Sequence, residues 1–204
     1  GEDNAGLLGY FKDNRIHRVR SIPINQSLGW LYGEVTSLCG FKSHSHEGKT
    51  MGLAAFGKPD LGLFTGIAEL HPRGYELKKD FAKKLNNKIL RRLPSDEISD
   101  YQKNLAATVQ HFLEEAVFNL TKDVSKFSTS RNLCLAGGVA LNCDMNFRLS
   151  TSGEFDNIYV QPAANDAGTA LGAALEVASK FSKPPRNHFL LKHAQYGPRY
   201  GSDE

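Results

Sequence analysis

The chain has 204 residues, 40% hydrophobic and 23% charged, which is enough apolar material for a packed core and excludes global disorder. With 25 Lys and Arg against 22 Asp and Glu, the net charge of +3 is too small to argue for nucleic acid or a membrane surface as partner. No apolar run approaches the ~20 residues of a membrane-spanning helix, and the opening residues do not read as a signal peptide.

Residues 6–12 and 15–24 read as two strands, with Asp13-Asn14 as the hairpin turn. Ser27 is predicted to cap a helix running to about Leu38, with Leu28, Leu31, Val35 and Leu38 on one stripe and Gly40 ending it. A polar loop, Lys42 to Lys49, leads into Met51-Gly52-Leu53-Ala54. Two short strands are expected between Leu63 and Leu77, around the turn Pro72-Arg73-Gly74. A basic helix follows over Lys79 to Arg92, and the Lys78–Arg92 cluster reads as a solvated face. The long helix is predicted from about Ser95 to Phe127, where Leu105, Val109, Phe112, Leu113, Ala116 and Leu120 recur at helical spacing. Then come strand 132–136, a helix from about Leu141, strand 157–161 and a helix from about Ala167. The tail from Lys183-Pro184-Pro185 reads as a linker or the start of another segment. Strand pairs followed by alternating helix and strand point to an α/β layered domain.

The three cysteines, Cys39, Cys134 and Cys143, show no CxxC spacing. They read as reduced thiols of a cytosolic protein, with Cys134 a small hydrophobe in an apolar strand. His44 and His46 alternate along one loop as metal ligands can, but a solvated loop is the more common arrangement. His17, His71, His111, His188 and His193 have no partner at informative spacing. No Ser-His-Asp set or carboxylate pair stands out.

Two strand-to-helix junctions carry the chemistry. At the first, Asn132-Leu133-Cys134-Leu135 runs into Gly137-Gly138-Val139-Ala140-Leu141-Asn142. A Gly-Gly turn lets backbone N–H groups approach an anion, with a helix start behind it, and a phosphate is the natural candidate. The same glycines also suit a tight packing turn. Asn142 is placed to cap the helix or to touch a ligand. At the second junction, Ile158-Tyr159-Val160-Gln161-Pro162 leads to Asn165-Asp166-Ala167-Gly168 and a helix of small residues. Asp166 brings one carboxylate to the mouth of that unit, as a metal ligand or as half of a capping pair. Gly168 lies near the presumed ligand, and close packing accounts for Gly172. Lys49, after Gly48, has the charge to neutralise a phosphate.

In order along the chain, four stretches resemble the O-carbamoyltransferases of nodulation and antibiotic biosynthesis (the NodU/CmcH type). They are Ser27-Leu28-Gly29-Trp30-Leu31-Tyr32, Glu47-Gly48-Lys49-Thr50-Met51-Gly52-Leu53-Ala54, Leu135–Asn142 and Asn165–Ala174. Tyr196-Gly197-Pro198-Arg199-Tyr200 is similar to the segment ending that family's first domain, and Gly1-Glu2 to the tail of its Asp-Gly-x-Gly-Glu motif. The resemblance implies an actin-like, ribonuclease-H-like ATPase lobe, with a mixed sheet flanked by helices, over residues 1–182. It is similar to the domain that transfers threonylcarbamoyl to tRNA. Residues 183–204 would lead to a missing adenylate-forming domain.

By the same resemblance the substrates are carbamoyl phosphate, ATP through carbamoyl adenylate, and a small molecule with a hydroxyl group. Gly137, Gly138 and Asn142 line the nucleotide phosphates by that carry-over, with Val139, Lys49 and Gly168 added to the phosphate site from their own positions in the chain, and Asp166 ligates a divalent metal, iron or magnesium. The family's metal-binding histidine pair belongs to an earlier lobe that this chain lacks, and His44 and His46 are not spaced like it. The 204 residues alone are therefore expected to be inactive and to hold half of a nucleotide cleft. A nucleotide-binding module without chemistry, or a relative of the sugar and acetate kinases, is the alternative.

Overall fold

The computed structural model describes residues 4–13 and 15–181, and beyond them only 194, 197, 198 and 201. Gly1-Glu2, Asn14, His188, His193 and nearly all of the tail lie outside the described residues. Strands β1 (Asn4–Lys12) and β2 (Arg15–Pro23) form the expected antiparallel hairpin, with Asp13 in the left-handed region at φ 51°. Leu8 and Ile22 pack it against the core.

Helix α1 (Leu28–Leu38) starts where the sequence says: Ser27 Oγ accepts from Trp30 N at 3.2 Å. Its stripe of Leu28, Leu31, Val35 and Leu38 is buried. The expected polar loop from Lys42 to Lys49 ends early, because α2 (Glu47–Ala54) already includes Lys49. Its packing explains this: Leu53 and Ala54 are buried, and Thr50 Oγ1 donates to Thr36 Oγ1 of α1 at 2.9 Å.

Strands β3 (Ala68–His71) and β4 (Gly74–Leu77) form the second hairpin. The Gln26 side chain extends its edge, donating to Leu77 O (2.8 Å) and accepting from Leu77 N (2.7 Å). The basic helix is shorter than predicted, α3 spanning Phe81–Lys88. Arg92 departs from the solvated face expected of its cluster and is only 7% exposed. Its Nε donates to Cys39 O at 2.8 Å and its Nη1 to the carbonyls of Pro94 and Asp96, while its guanidinium lies 5.5 Å from the Phe41 ring. A cation serving carbonyls at the C-terminal end of α1 is stabilised by the helix dipole and the ring face.

The long helix α4 (Asp100–Ser125) is the axis of the molecule. Its start carries a capping box between Ser99 and Gln102. Leu105, Val109, Phe112, Leu113, Ala116 and Leu120 face α1, α2 and the β3–β4 hairpin in one buried cluster. Strand β5 (Asn132–Leu135), helix α5 (Cys143–Thr151) and parallel strand β6 (Asn157–Val160) form a βαβ unit, whose α5 packs on α4 through Met145 and Leu149. Helix α6 (Thr169–Phe181) ends the described run, and every residue of it is exposed.

The α/β class is as expected, but the single mixed sheet is not found. Among the described residues there are three separate two-stranded sheets, two antiparallel and one parallel. Each pair is stabilised by packing on helices rather than by a further strand, since a lone two-stranded ribbon is marginal in water. No helix among the described residues is long and apolar enough to cross a membrane.

The cysteines divide by burial. Cys39 is fully buried, and burial pushes its thiol up to about 12 even though Arg92 pulls the other way. Cys143 is exposed, and so is Cys134, contrary to its reading as a packed hydrophobe, because the face of β5 that carries it is uncovered. Titration of the native chain with an aromatic disulfide reagent at neutral pH should therefore modify Cys134 and Cys143 quickly, and Cys39 only after unfolding. Rapid modification of all three in the native chain would contradict this burial pattern.

Candidate functional site

Both junctions lie at the carboxyl ends of the parallel strands β5 and β6, where α/β units bind ligands. Two backbone hydrogen bonds tie them together. Gly137 N donates to Ala164 O at 2.6 Å, and Gln161 N donates to Leu135 O at 3.3 Å. The Gly-Gly turn and the Asp166 loop thus form one structure although 28 residues separate Gly137 from Asn165.

Gly137 has φ +101°, which a side chain rarely tolerates. A Cβ at Gly137 or Gly138 would meet nothing within 4 Å, so both glycines face open space. Their amides differ, however. The Gly137 N–H is occupied by Ala164 O, whereas those of Gly138 and Val139 have no acceptor among the described residues. Two adjacent unpaired N–H groups beside an open turn make a local anion cradle. The helix does not start directly behind the glycines. A 3-10 turn, Gly138–Leu141, intervenes before α5, because Asn142 is extended and is the residue that begins the helix.

Asn142 proves to be a cap: its Oδ1 accepts from Met145 N at 2.9 Å. Its amide also pairs with Gln110 of α4 in both directions, at 3.0 and 2.8 Å. Helix α1 reaches the same turn, since a Cβ at Gly29 would lie 3.7 Å from Val139 Cγ2. Helix α2 reaches it through Met51, whose Sδ is 3.7 Å from Cys143 Sγ. The structure therefore brings the Glu47–Ala54 and Gly137–Asn142 segments together. Lys49 is exposed on the first turn of α2, with Nζ 6.0 Å from the Phe41 ring, and among the described residues its side chain makes no hydrogen bond or ion pair with Gly137–Asn142.

At the second junction Asn165 is the cap, accepting from Ala167 N at 3.2 Å. That leaves the Asp166 carboxylate exposed and without a hydrogen-bonding or ionic partner among the described residues. Gly168 has a packing reason: a Cβ there would lie 2.2 Å from Ala163 O. Gly172 does not, because nothing within 4 Å would meet its Cβ, so the close packing expected there is not made by the described residues. His44 and His46 serve their own loop, with His44 N donating to Glu47 Oε1 and His46 Nδ1 accepting from Lys42 N.

For a divalent metal, the described residues offer no group of three His, Cys, Asp or Glu. Asp166 fits as one hard oxygen ligand, and the remaining ligands have to come from other residues. An anion fits better, given the open glycines and the two free amides. Gln161 was not singled out from the sequence. Its Oε1 is buried without a donor among the described residues, and its Nε2 would lie 3.5 Å from a Cβ at Gly168. A lone Gln after an apolar strand carries no sequence signal for this.

Residues 1–175 match the family model for the carbamoyltransferase N-terminus. The whole chain is 37% identical, over 209 residues, to the nodulation protein NolO of Bradyrhizobium diazoefficiens, of which it covers 38%. It is 36% identical, over 208 residues, to the nodulation protein NolNO of Sinorhizobium fredii, of which it covers 30%. Over 86% of its length it is 26% identical to the 3'-hydroxymethylcephem-O-carbamoyltransferase of Streptomyces clavuligerus, covering 35% of that protein. The chain thus spans about a third of the length of these relatives. A match over this much of the chain, with both junctions inside it, means that the chain belongs to the carbamoyltransferase family and corresponds to its N-terminal region.

Proposed function

We propose that these residues form the phosphate-binding half of an active site that moves a carbamoyl group from carbamoyl phosphate, by way of ATP-derived carbamoyl adenylate, to the hydroxyl of a small molecule. The lobe is of the actin-like, ribonuclease-H-like kind. The observation that carries the reading is the coupling of the open Gly137-Gly138 turn to the Asp166 loop through Gly137 N and Ala164 O.

The Gly138 and Val139 amides hold the adenylate phosphate, and their fixed direction favours the charge that builds there as the leaving phosphate separates. Lys49 supplies a mobile positive charge from α2. Asp166 holds one position of a divalent metal, iron or magnesium, which when bound polarises the carbonyl or the phosphate. In the transfer itself the acceptor oxygen bonds to the carbamoyl carbon, the carbon–oxygen bond to phosphate breaks, and the hydroxyl proton leaves to a base. None of the residues described here is assigned as that base. Gly168 keeps the Ala163 carbonyl close enough for the loop to hold its shape.

The test uses the full-length protein with carbon-labelled carbamoyl phosphate, ATP and a panel of sugar and cephem alcohols. Label should appear on an acceptor hydroxyl, whereas a kinase would instead move the terminal phosphate of ATP. Carbamoyl transfer by residues 1–204 alone would contradict the assignment of this chain to half a cleft.

A further inference from the structure

Gln110 is 6% exposed on α4, with the buried Ala106, Val109 and Leu113 close to it along the helix. A buried primary amide is costly unless every donor and acceptor is used. Here all are used. Gln110 Oε1 accepts from the Tyr32 hydroxyl at 2.9 Å and from Asn142 Nδ2 at 2.8 Å. Its Nε2 donates to Asn142 Oδ1 at 3.0 Å and to Glu114 Oε1 at 2.7 Å. The two amides face each other as a reciprocal pair, so Asn142 has one orientation and not its flipped alternative. Burial, with the charge of Asp144 adding to it, raises the Tyr32 pKa above its ordinary value, so the hydroxyl stays a donor.

The pair has a consequence for the turn. The segment between Gly137 and Asn142 begins with two glycines, whose backbone freedom is the largest of any residue. It is held at one end by Gly137 N on Ala164 O and inside by Ala140, which is 3% exposed. At its other end the hold is Asn142, and Asn142 is held by Gln110. The geometry points to Gln110 as the positioning residue of the anion cradle: through Asn142, it fixes the direction of the Gly138 and Val139 N–H groups. The inference rests on the phosphate reading of that turn for its functional part, while the mechanical part stands by itself.

The full-length protein would be compared with Gln110→Ala, Tyr32→Phe and Asn142→Ser. Tyr32→Phe removes one bond to Gln110 and keeps the amide pair. Asn142→Ser keeps a capping oxygen and loses the pair, which covers the case in which Gln110→Ala fails to fold. Amide hydrogen exchange over residues 138–145 should accelerate at least about tenfold in Gln110→Ala and Asn142→Ser, and less than about twofold in Tyr32→Phe. The Kd for ATP should rise at least about tenfold in Gln110→Ala and stay within about twofold in Tyr32→Phe at a comparable loss of Tm. Unchanged exchange in both Gln110→Ala and Asn142→Ser would overturn the inference. So would equal effects of Tyr32→Phe and Gln110→Ala, which would make the network a matter of stability alone. A wild-type protein that binds neither ATP nor inorganic phosphate would sink the phosphate reading, and the exchange measurement would still decide whether Gln110 holds the turn.

Discussion

Replacing Asp166 by alanine in the full-length protein should lower carbamoyl transfer by more than about 100-fold, because loss of even the outer partners of metal ligands costs about 10–100-fold. The same change should leave folding almost untouched. Asp166 is exposed, its carboxylate has no partner among the described residues, and the turn is capped by its neighbour Asn165. Exposed substitutions of this kind shift stability by about 0.5 kcal/mol or less. Metal content, measured by atomic emission on the purified variant, should fall together with activity, while Tm stays close to that of the wild type. Asn165→Ala is the comparison: it removes the cap and should lower stability by about 1 kcal/mol while leaving the carboxylate present. Transfer that survives in Asp166→Ala with metal still bound would remove Asp166 from the site.

The second large effect is on stability. Phe112→Ala should cost about 3–5 kcal/mol. Phe112 is 1% exposed at the middle of α4, where the first two-thirds of the chain converge. Phe64 meets it edge-on at 5.7 Å between ring centroids, and Tyr75 of β4 does so at 6.3 Å. Those contacts add to the area that the ring removes from water. A cavity of that size, beside two other rings, would be filled only in part by relaxation of the surrounding side chains. At about 2–4 °C per kcal/mol for a protein of this length, Tm should drop by roughly 10 °C. Thermal unfolding of the isolated chain, followed by circular dichroism, measures it directly. A loss below about 1 kcal/mol would mean that α4 is not the centre of this core.

The elements from Ser27 to Leu38, the two hairpins and the long helix were legible because each carries a strong local code. These are a capping serine, strands flanking a turn, and an apolar stripe at helical spacing. The Gly-Gly turn and Asp166 were legible as candidates for similar reasons. Three features were not. Lys49 was read as part of a loop, since nothing local in Glu47-Gly48-Lys49 announces a helix; α2 exists because Thr50 and Leu53 have α1 and α4 to pack on. Arg92 reads as solvated, since its charge is visible in sequence and the Cys39 carbonyl it serves, 53 residues away, is not. Gln110 looked like an ordinary helix residue until the fold set Asn142 opposite it.

The sequence by itself determined the class of the fold, the order of its elements apart from α2, and the positions of both strand-to-helix junctions, because caps, turns and periodicity are encoded within a few residues of where they act. Only the tertiary structure decided which amides of the turn have no acceptor among the described residues, that the Asn142 side chain caps α5 and pairs with Gln110, and that the Asp166 loop is bonded to the glycine turn. Each of these depends on contacts between residues far apart in the chain. Hydrogen-bond partners such as Gly137 and Ala164, or Gln110 and Asn142, are chosen by the packing of whole helices and strands, and no local pattern records that choice.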